Sequence, residues 1–369
     1  MKRLAIRVFA LMLATLPVVS SNAFANSDDR PDAGALYTAT NAAAGNSVLI
    51  FDRNENGSLT AAGSVSTGGL GTGAGLGNQN GIALTRNQRF LFVVNAGSNE
   101  ISSFAVEPSG LRLVDRVFSG GQRPISIATH GSLLFVLNAG GQAGSSDNIA
   151  GFSIGRDGQL SPIAGSTRPL SVSNANPAEI AWNDEGDLLA VTEKGTKRIV
   201  TFTIDERGLP NGPNVSASSG LTPFGFGFGK RDQLFVSEAA ASAASSYAVS
   251  DSGTLSVISA SVLDHQAAAC WLVVSNDGRH AYVANAGTAS VSGYSIDEQG
   301  TLSLLNADGV TGLTAPGPVD ETFSADGRFL YTLDAKSGAI SAFEVRGDGS
   351  LRKLPDTAVQ IGTNGFAAR

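Results

Sequence analysis

The sequence predicts an all-β protein, a seven-bladed β-propeller, on three observations. A short apolar strand recurs seven times at intervals of roughly 43 to 55 residues, which is the spacing of propeller blades. Each copy is followed by a strand with alternating apolar and polar residues and then by a glycine-bearing turn. The chain also ends with the type of strand that its beginning lacks. These features together predict a closed ring of four-stranded antiparallel blades.

The recurring apolar strand is the second strand of each blade. Its copies are residues 36–38, 91–93, 134–136, 189–191, 234–236, 281–283 and 330–332. The third strands have a period of two, which is typical of half-buried strands. They are residues 48–51, 101–106, 149–154, 199–204, 245–249, 291–296 and 340–345. No window shows apolar spacing of three and four, so we expect almost no helix.

The innermost strands decide how the ring closes. Six precede the second strands, at residues 81–84, 125–128, 179–182, 224–228, 271–274 and 319–323. The first blade has none, whereas residues 364–368 look like the missing copy. We therefore expect the C-terminal strand to pair with the N-terminal blade, which leaves no open sheet edge. A β-sandwich or a linear solenoid does not explain this arrangement.

Three insertions interrupt the regular pattern, at residues 67–80, 140–148 and 239–246. By the strand order, they follow second or fourth strands, and the connections after those strands lie on one face of the ring. We call this the loop face, and we expect the ligand site there. The other side, which carries the turns after first and third strands, is called the turn face.

The first 25 residues have the pattern of a cleaved signal peptide. Lys2, Arg3 and Arg7 precede an apolar run at residues 8–19, and Ala23-Phe24-Ala25 supplies an A-x-A cleavage site. The run is too short to span a bilayer, and no later stretch is long and apolar enough to do so. We expect export to the periplasm or beyond, and a single propeller domain over residues 26–369.

Composition narrows the classes of partner. The chain has 25 basic and 32 acidic residues, a formal charge of −7, and the predicted cleavage would remove three of the basic ones. Such a charge disfavours binding to nucleic acid or to anionic lipid. One cysteine, Cys270, excludes an intramolecular disulfide and is predicted to be a buried, inert thiol. We expect a monomer.

Residues 91–99 and 276–287 resemble the blade repeat of the lactonase family of seven-bladed propellers, which includes phosphogluconolactonases and carboxymuconate cyclases. The resemblance extends over nearly all of the mature chain and implies lactone hydrolysis. The family enzymes carry histidines at the start of certain innermost strands, an Arg-His pair and an Asp-Leu-Gly turn. At those places this chain has Arg123-Pro124-Ile125, Cys270-Trp271 and Asn138-Ala139-Gly140, so no catalytic residue is assigned by identity.

The candidate site residues lie at strand ends that should meet at the mouth of the central channel. Lactone hydrolysis needs a base or metal to activate water and a group to stabilise the carbonyl oxygen. We predict catalytic roles for Glu193 and Glu238 as bases, Arg123 as electrophile, and His265. The predicted ligand-binding residues are Asn95, Asn138, Asn285, Asp320, Glu321 and Asp334; Asp320 is also a candidate base.

Two other interpretations of these polar residues remain open. Asn, Asp and Glu at strand ends often satisfy backbone groups of turns. The acids could also coordinate a cation, although no spaced ligand loop is present. His130 and His280 are predicted to be solvated on the turn face, and no histidine pair has the spacing of a zinc site. The glycine-rich residues 71–77 lack the strand and helix of a dinucleotide fingerprint, so we expect a loop and no cofactor.

Two functions follow from the sequence. The first is binding of a small polar ligand at the channel mouth, with hydrolysis of a lactone. The second is a non-enzymatic propeller that presents its loops to a protein or glycan partner in the cell envelope.

Overall fold

The computed structural model describes residues 34–141 and 146–369, which form seven antiparallel sheets, each a blade of the predicted propeller. The predicted signal peptide lies outside these residues. The described residues contain strands and turns only. Accordingly, the structure shows no helix in this part that could cross a membrane.

The strands follow the predicted order. Blade 1 contains β1 (Ala35–Ala39), β2 (Ser47–Arg53) and β3 (Leu59–Ser66). Blade 2 contains β4 (Ile82–Leu84), β5 (Phe90–Asn95), β6 (Glu100–Glu107) and β7 (Gly110–Phe118). Blade 3 contains β8 (Pro124–His130), β9 (Leu133–Asn138), β10 (Asn148–Ile154), β11 (Leu160–Pro162) and β12 (Arg168–Pro169). Blades 4 and 5 contain β13 (Pro177–Trp182), β14 (Leu188–Glu193), β15 (Arg198–Ile204), β16 (Pro210–Ala217); β17 (Pro223–Phe228), β18 (Gln233–Glu238), β19 (Ala243–Val249) and β20 (Leu255–Leu263).

Blades 6 and 7 complete the ring with β21 (Ala269–Val274), β22 (His280–Asn285), β23 (Ser290–Ile296), β24 (Leu302–Leu304), β25 (Gly312–Leu313); β26 (Glu321–Phe323), β27 (Phe329–Asp334), β28 (Ala339–Val345), β29 (Leu351–Lys353), β30 (Thr357–Ala358) and the closing strand β31 (Asn364–Ala368). In blades 3, 6 and 7 the fourth strand is divided into two short pieces, both of which pair with the third strand.

The C-terminal strand closes the ring as predicted. β31 pairs antiparallel with β1, with Tyr37 opposite Ala367 and Thr38 opposite Phe366. It thereby becomes the innermost strand of blade 1. It also contacts the innermost strands β26 and β4 of the two neighbouring blades. Every innermost strand therefore contacts an innermost strand of each adjacent blade.

The core lies between the blades. A second strand such as β5 is buried along its whole length because a neighbouring blade covers each of its faces. Aromatic side chains join adjacent blades: Phe135 meets Trp182 edge-on at 5.5 Å between ring centroids, and Tyr282 meets Phe323 at 5.8 Å. Each fully buried side chain of this size contributes about 1.5–3 kcal/mol. The repeated unit is thus stable only in contact with its neighbours.

Turn glycines fit one blade onto the next. Gly57, in the turn between β2 and β3, has a φ of 83°, and a Cβ atom there would overlap the ring of Phe329 in blade 7. Tyr331 of blade 7 donates its hydroxyl hydrogen to the Gly57 carbonyl oxygen at 2.8 Å. Tyr282 of blade 6 bonds the Gly349 carbonyl of blade 7 in the same way, also at 2.8 Å. These turns need glycine for both conformation and close approach.

One insertion is shorter than expected. Ala243 to Ser246 belong to β19 and pair with β18, so the small-residue insertion is reduced to a turn at residues 239–242. Alanine and serine are poor strand formers by propensity, but at this position both neighbouring strands pair with them. The insertion at residues 67–80 is a loop as predicted, and it extends into the central channel.

Candidate functional site

The connection from blade 1 to blade 2 crosses the central channel. Gln79 donates its side-chain amide to the Leu272 carbonyl of blade 6 at 2.9 Å and accepts the Leu272 amide hydrogen at 3.1 Å. The Gln79 main-chain amide donates to the Ala178 carbonyl of blade 4 at 3.2 Å. We call residues 78–80 the channel plug.

The other two plug residues bind further blades. Asn78 accepts hydrogen bonds from the Trp271 indole at 2.8 Å and from the Asn364 side chain at 2.9 Å, and it donates to the Ile125 carbonyl. Asn80 donates to the Glu179 carboxylate at 2.5 Å. Innermost strands of blades 1, 3, 4 and 6 therefore meet on three consecutive residues, and Asn78 and Gln79 are almost fully buried. The plug fills the channel and makes a floor beneath the loop face.

Three buried acids lie at the level of the plug. Glu179, Asp320 and Glu321 are at most 2% exposed. Burial raises the pKa of all three well above the usual range, and the negative charge of Asp320 adds to the effect on the other two. Backbone amides oppose the shift in part: the Ala284 amide lowers the pKa of Glu321, and the Glu321, Phe366 and Asn80 amides lower that of Asp320. These groups are screened from solvent, so a ligand at the mouth does not reach them.

Glu321 occupies a position that is apolar in the other blades. It pairs with Thr332 where Ile127 pairs with Val136 and Leu272 pairs with Val283. An acid at such a core position favours its neutral form, because burial penalises the charge. Glu321 was predicted to bind the ligand, but its side chain lies inside the protein rather than at the surface.

Three cations, Arg123, Lys194 and Lys336, lie in connections of the loop face; we call the space above the plug at this face the channel mouth. Lys194 donates to the Gly77 carbonyl, and its Nζ atom lies 4.7 Å from the centroid of the Phe224 ring. Burial lowers the pKa of Lys194 to about 8, and the positive charge of Arg123 contributes. Lys336 follows β27 in a connection of the loop face, and its charge and that of Lys194 both lower the pKa of the Cys270 thiol against the larger effect of burial.

The cations of the mouth are not neutralised by direct ion pairs within residues 34–141 and 146–369. In the described part of the chain, none of Arg123, Lys194 and Lys336 forms an ion pair with an acid. Lys336 is exposed, and the other two are half-buried. Cys270 is buried, as predicted, and burial raises the pKa of its thiol to about 12. The thiol is therefore inert, and an anion is the ligand that this mouth favours.

Asp147 is the carboxyl group that titrates nearest to neutral pH beside this cluster. Burial is the main reason that the pKa of Asp147 is raised to about 6; hydrogen bonds from the Ala175 and Asn176 amides and the charge of Arg123 act against it, and the charge of Glu193 acts with it. The Asn176 amide donates to its Oδ2 atom at 3.2 Å. Asp147, Lys194 and Lys336 were not predicted as site residues from the sequence. The one sequence feature that could have indicated them is that all three lie in connections of the loop face.

The predicted bases Glu193 and Glu238 are fully buried and hydrogen-bonded. Glu193 accepts from the Ser171 amide at 2.9 Å and from the Ser171 and Thr196 hydroxyls, each at 2.5 Å. Glu238 accepts from the Gly220 amide at 2.6 Å and from the hydroxyls of three serines. Each acid thereby anchors the connection that enters its own blade. This is the alternative interpretation of the sequence, in which acids at strand ends accept hydrogen bonds from backbone groups of turns.

The other strand-end residues have a similar environment. Asn95, Asn138, Asn285 and Asp334 are all fully buried. Each bonds a side chain or an amide of the loop face; the partners are Thr67 at 2.7 Å, Ser119 at 2.7 Å, Ser292 at 2.8 Å and the Ala315 amide at 3.2 Å, respectively. Burial raises the pKa of Asp334 to about 6. These residues hold the connections in place behind the mouth.

Arg123 and His265 are placed on the loop face, before β8 and β21 respectively. Both have positive φ, 55° and 60°, and the Arg123 amide donates to Asn99 Oδ1 at 2.8 Å. His265 is exposed beside the buried Asp264. No hydrogen bond or ion pair of the described residues joins any two of Glu193, Glu238, Arg123 and His265. Of this set, the structure brings only Arg123 into the cationic mouth.

The remaining histidines differ from the prediction of solvated rings. His280 is 9% exposed, and burial lowers its pKa. The turn of blade 7 covers it, because Gly349 packs against its ring. His130 is half-buried with its ring 5.8 Å from that of Trp182. Among the residues that the structure describes, no group of three potential ligands is arranged to hold a metal ion.

The sequence model of the lactonase family, seven-bladed β-propellers, matches residues 30–168 and 246–366. A crystal structure of a putative 6-phosphogluconolactonase from Bacteroides fragilis is similar over 91% of this chain and 98% of that chain, with 20% identity and a TM-score of 0.73. The Pseudomonas aeruginosa periplasmic gluconolactonase is similar over 91% and 98%, with 18% identity and a TM-score of 0.68. At these identities the structural likeness concerns the fold. No curated protein matches the chain significantly.

Proposed function

Since the chain belongs to the lactonase family of seven-bladed β-propellers, we propose that it binds a small anionic lactone at the channel mouth and hydrolyses it. The observation that carries the proposal is the cluster of Arg123, Lys194 and Lys336 above the channel plug, without acid partners in the described part of the chain. The putative 6-phosphogluconolactonase and the periplasmic gluconolactonase of the same fold are consistent with a sugar-acid lactone.

The roles of the mouth residues follow from their charges. Arg123 and Lys336 bind the carboxylate or phosphate of the ligand. Lys194 lies deepest, against Phe224 and the plug, and its ammonium group stabilises the negative charge that develops on the lactone carbonyl oxygen. Asp147, with a pKa of about 6, is ionised at neutral pH and is the candidate base; it is only 1% exposed, so water has to enter beside it for it to act.

The test is hydrolysis of a panel of sugar-acid lactones, with and without a phosphate group, by the purified protein. Replacing Lys194 with Met removes the charge and keeps the length, and we expect kcat to fall about 100-fold. Lys230→Gln changes an exposed lysine on the turn face and serves as the matched control, with unchanged turnover. Turnover no faster than the spontaneous reaction for every lactone, or equal rates in the two variants, contradicts the proposal.

We also propose that the chain is exported, on the basis of its first 25 residues. The intact mass of the protein from the periplasmic fraction of an expressing cell should correspond to a chain that begins at Asn26. A mass that includes Met1 to Ala25 contradicts this.

A second candidate is a non-enzymatic propeller that binds a partner through its loop face. Burial of Glu193 and Glu238 in structural hydrogen bonds favours it, because these two predicted bases are unavailable to a substrate. Saturable binding of an envelope protein or glycan that is lost when residues 69–77 are deleted, without turnover of any lactone, would favour this candidate over the hydrolase.

A further inference from the structure

Large apolar side chains are exposed in a pattern that follows the blades. Ten are exposed in the described part of the chain, and seven of them lie either at the end of a fourth strand or in the connection that follows it, one for each blade. These seven, which we call the apolar rim, are Leu70 (42% exposed), Phe118 (60%), Val172 (43%), Leu221 (46%), Leu263 (52%), Leu313 (64%) and Ile361 (68%).

All seven residues of the apolar rim lie on the loop face. Phe118, Leu263 and Leu313 end their fourth strands opposite the first residues of β6, β19 and β23. The carbonyls of Leu70 and Leu221 accept hydrogen bonds from amides in the connections after second strands, at 2.9 and 3.3 Å. Val172 and Ile361 are in the equivalent connections of blades 3 and 7. The exposed apolar side chains are therefore distributed around the ring at one of its two faces.

Charge is divided between the two faces. The turn face carries both signs of charge, with acids in excess; several of its acids are paired with arginines of the same face, such as Asp184 with Arg86 and Asp277 with Arg279. On the loop face, Lys197 and Lys336 are exposed without an acid partner in the described residues. The accessible acids of the loop face include Glu100, which is paired with Arg116, and Asp308.

We propose that the loop face docks on an anionic lipid surface, with the apolar rim inserted among the headgroups. A protein partner would match a contiguous apolar patch, whereas a lipid interface accepts single apolar side chains at any spacing. The exposed lysines attract anionic headgroups. A second copy of the chain, docked face to face, would bring these lysines against one another.

The net negative charge of the chain does not oppose this orientation. Six-residue strands separate the two faces by about 20 Å, which is twice the Debye length of about 10 Å at 0.1 M salt. The acids of the turn face are therefore screened from a lipid surface at the loop face.

The experiment is flotation of the purified protein with vesicles of phosphatidylcholine alone or mixed with phosphatidylglycerol. We expect binding to the mixed vesicles, weakened by salt. The variant Phe118→Ser/Leu313→Ser/Ile361→Ser should lower the partition coefficient at least ~10-fold. The control Leu113→Ser/Val257→Ser alters two exposed residues in the middle of outermost strands and should bind like the unaltered protein.

The variant Lys197→Glu/Lys336→Glu tests the electrostatic contribution to vesicle binding separately from the apolar one. It should bind the mixed vesicles less well than the unaltered protein does. The proposal is overturned by failure of the unaltered protein to bind either kind of vesicle. Equal binding by the rim variant and its control overturns it as well. A dimer in solution that the rim variant converts to a monomer, without vesicle binding, identifies a second copy as the occupant and also overturns it.

Discussion

Replacing Gln79 with Ala tests whether the channel plug stabilises the ring. The side chain of Gln79 satisfies both the N–H and the C=O of Leu272 at the inner edge of blade 6, at 3.1 and 2.9 Å. Leaving a buried backbone group without its partner costs about 1–3 kcal/mol. With both groups affected, we expect the free energy of unfolding to fall by about 2–4 kcal/mol. Urea unfolding measures this change, and hydrogen exchange by mass spectrometry should show faster exchange of the Leu272 amide.

The matched control is Gln122→Ala. Gln122 lies in the corresponding connection one blade later, and its Oε1 atom makes no hydrogen bond with the described residues. Its replacement should change the free energy of unfolding by no more than about 0.5 kcal/mol. Equal unfolding midpoints for the two variants, with unchanged exchange at Leu272, would refute a stabilising role for the plug.

Two further predictions concern buried titratable groups. Burial raises the pKa of Glu321, so the folded state binds the proton of this carboxyl group more tightly than the unfolded state does. The contribution of the protonated group to the free energy of unfolding is complete below the unfolded pKa of about 4.3. It is lost as pH rises toward the folded pKa. Glu321→Gln should therefore match the unaltered protein near pH 4 and be more stable at pH 8 in urea unfolding; parallel pH profiles contradict this. The Cys270 thiol, with its pKa raised to about 12, should not react with a disulfide reagent at pH 8 until the protein is denatured, and rapid reaction of the native protein would show that the thiol is accessible.

The fold could be predicted because its information is periodic and local. Each second strand is an apolar run, each third strand alternates, and each turn carries glycine, so errors at one blade are corrected by the other six. Closure of the ring was also predictable. Blade 1 has no innermost strand before its second strand, and residues 364–368 form an innermost strand that no second strand follows. The shortened insertion at residues 239–242 shows the limit: alanine and serine do not indicate a strand until their partners in β18 are known.

The site was harder to predict because its contacts join distant parts of the chain. Gln79 and Leu272 are 193 positions apart, and no local pattern marks either one. Lys194 owes its lowered pKa to burial near Phe224 and to Arg123, which come from other blades. Strand order correctly directed Glu193 and Glu238 toward the loop face. It could not show that serine hydroxyls and backbone amides would enclose their carboxylates.

The pairing of β31 with β1 has a consequence for the order of folding. Until β31 has been synthesised, β1 has an unpaired inner edge. Blades 2 to 7 can form earlier, but the ring stays open until β31 pairs with β1. A chain that lacks β31 therefore exposes an unpaired strand edge, which favours self-association.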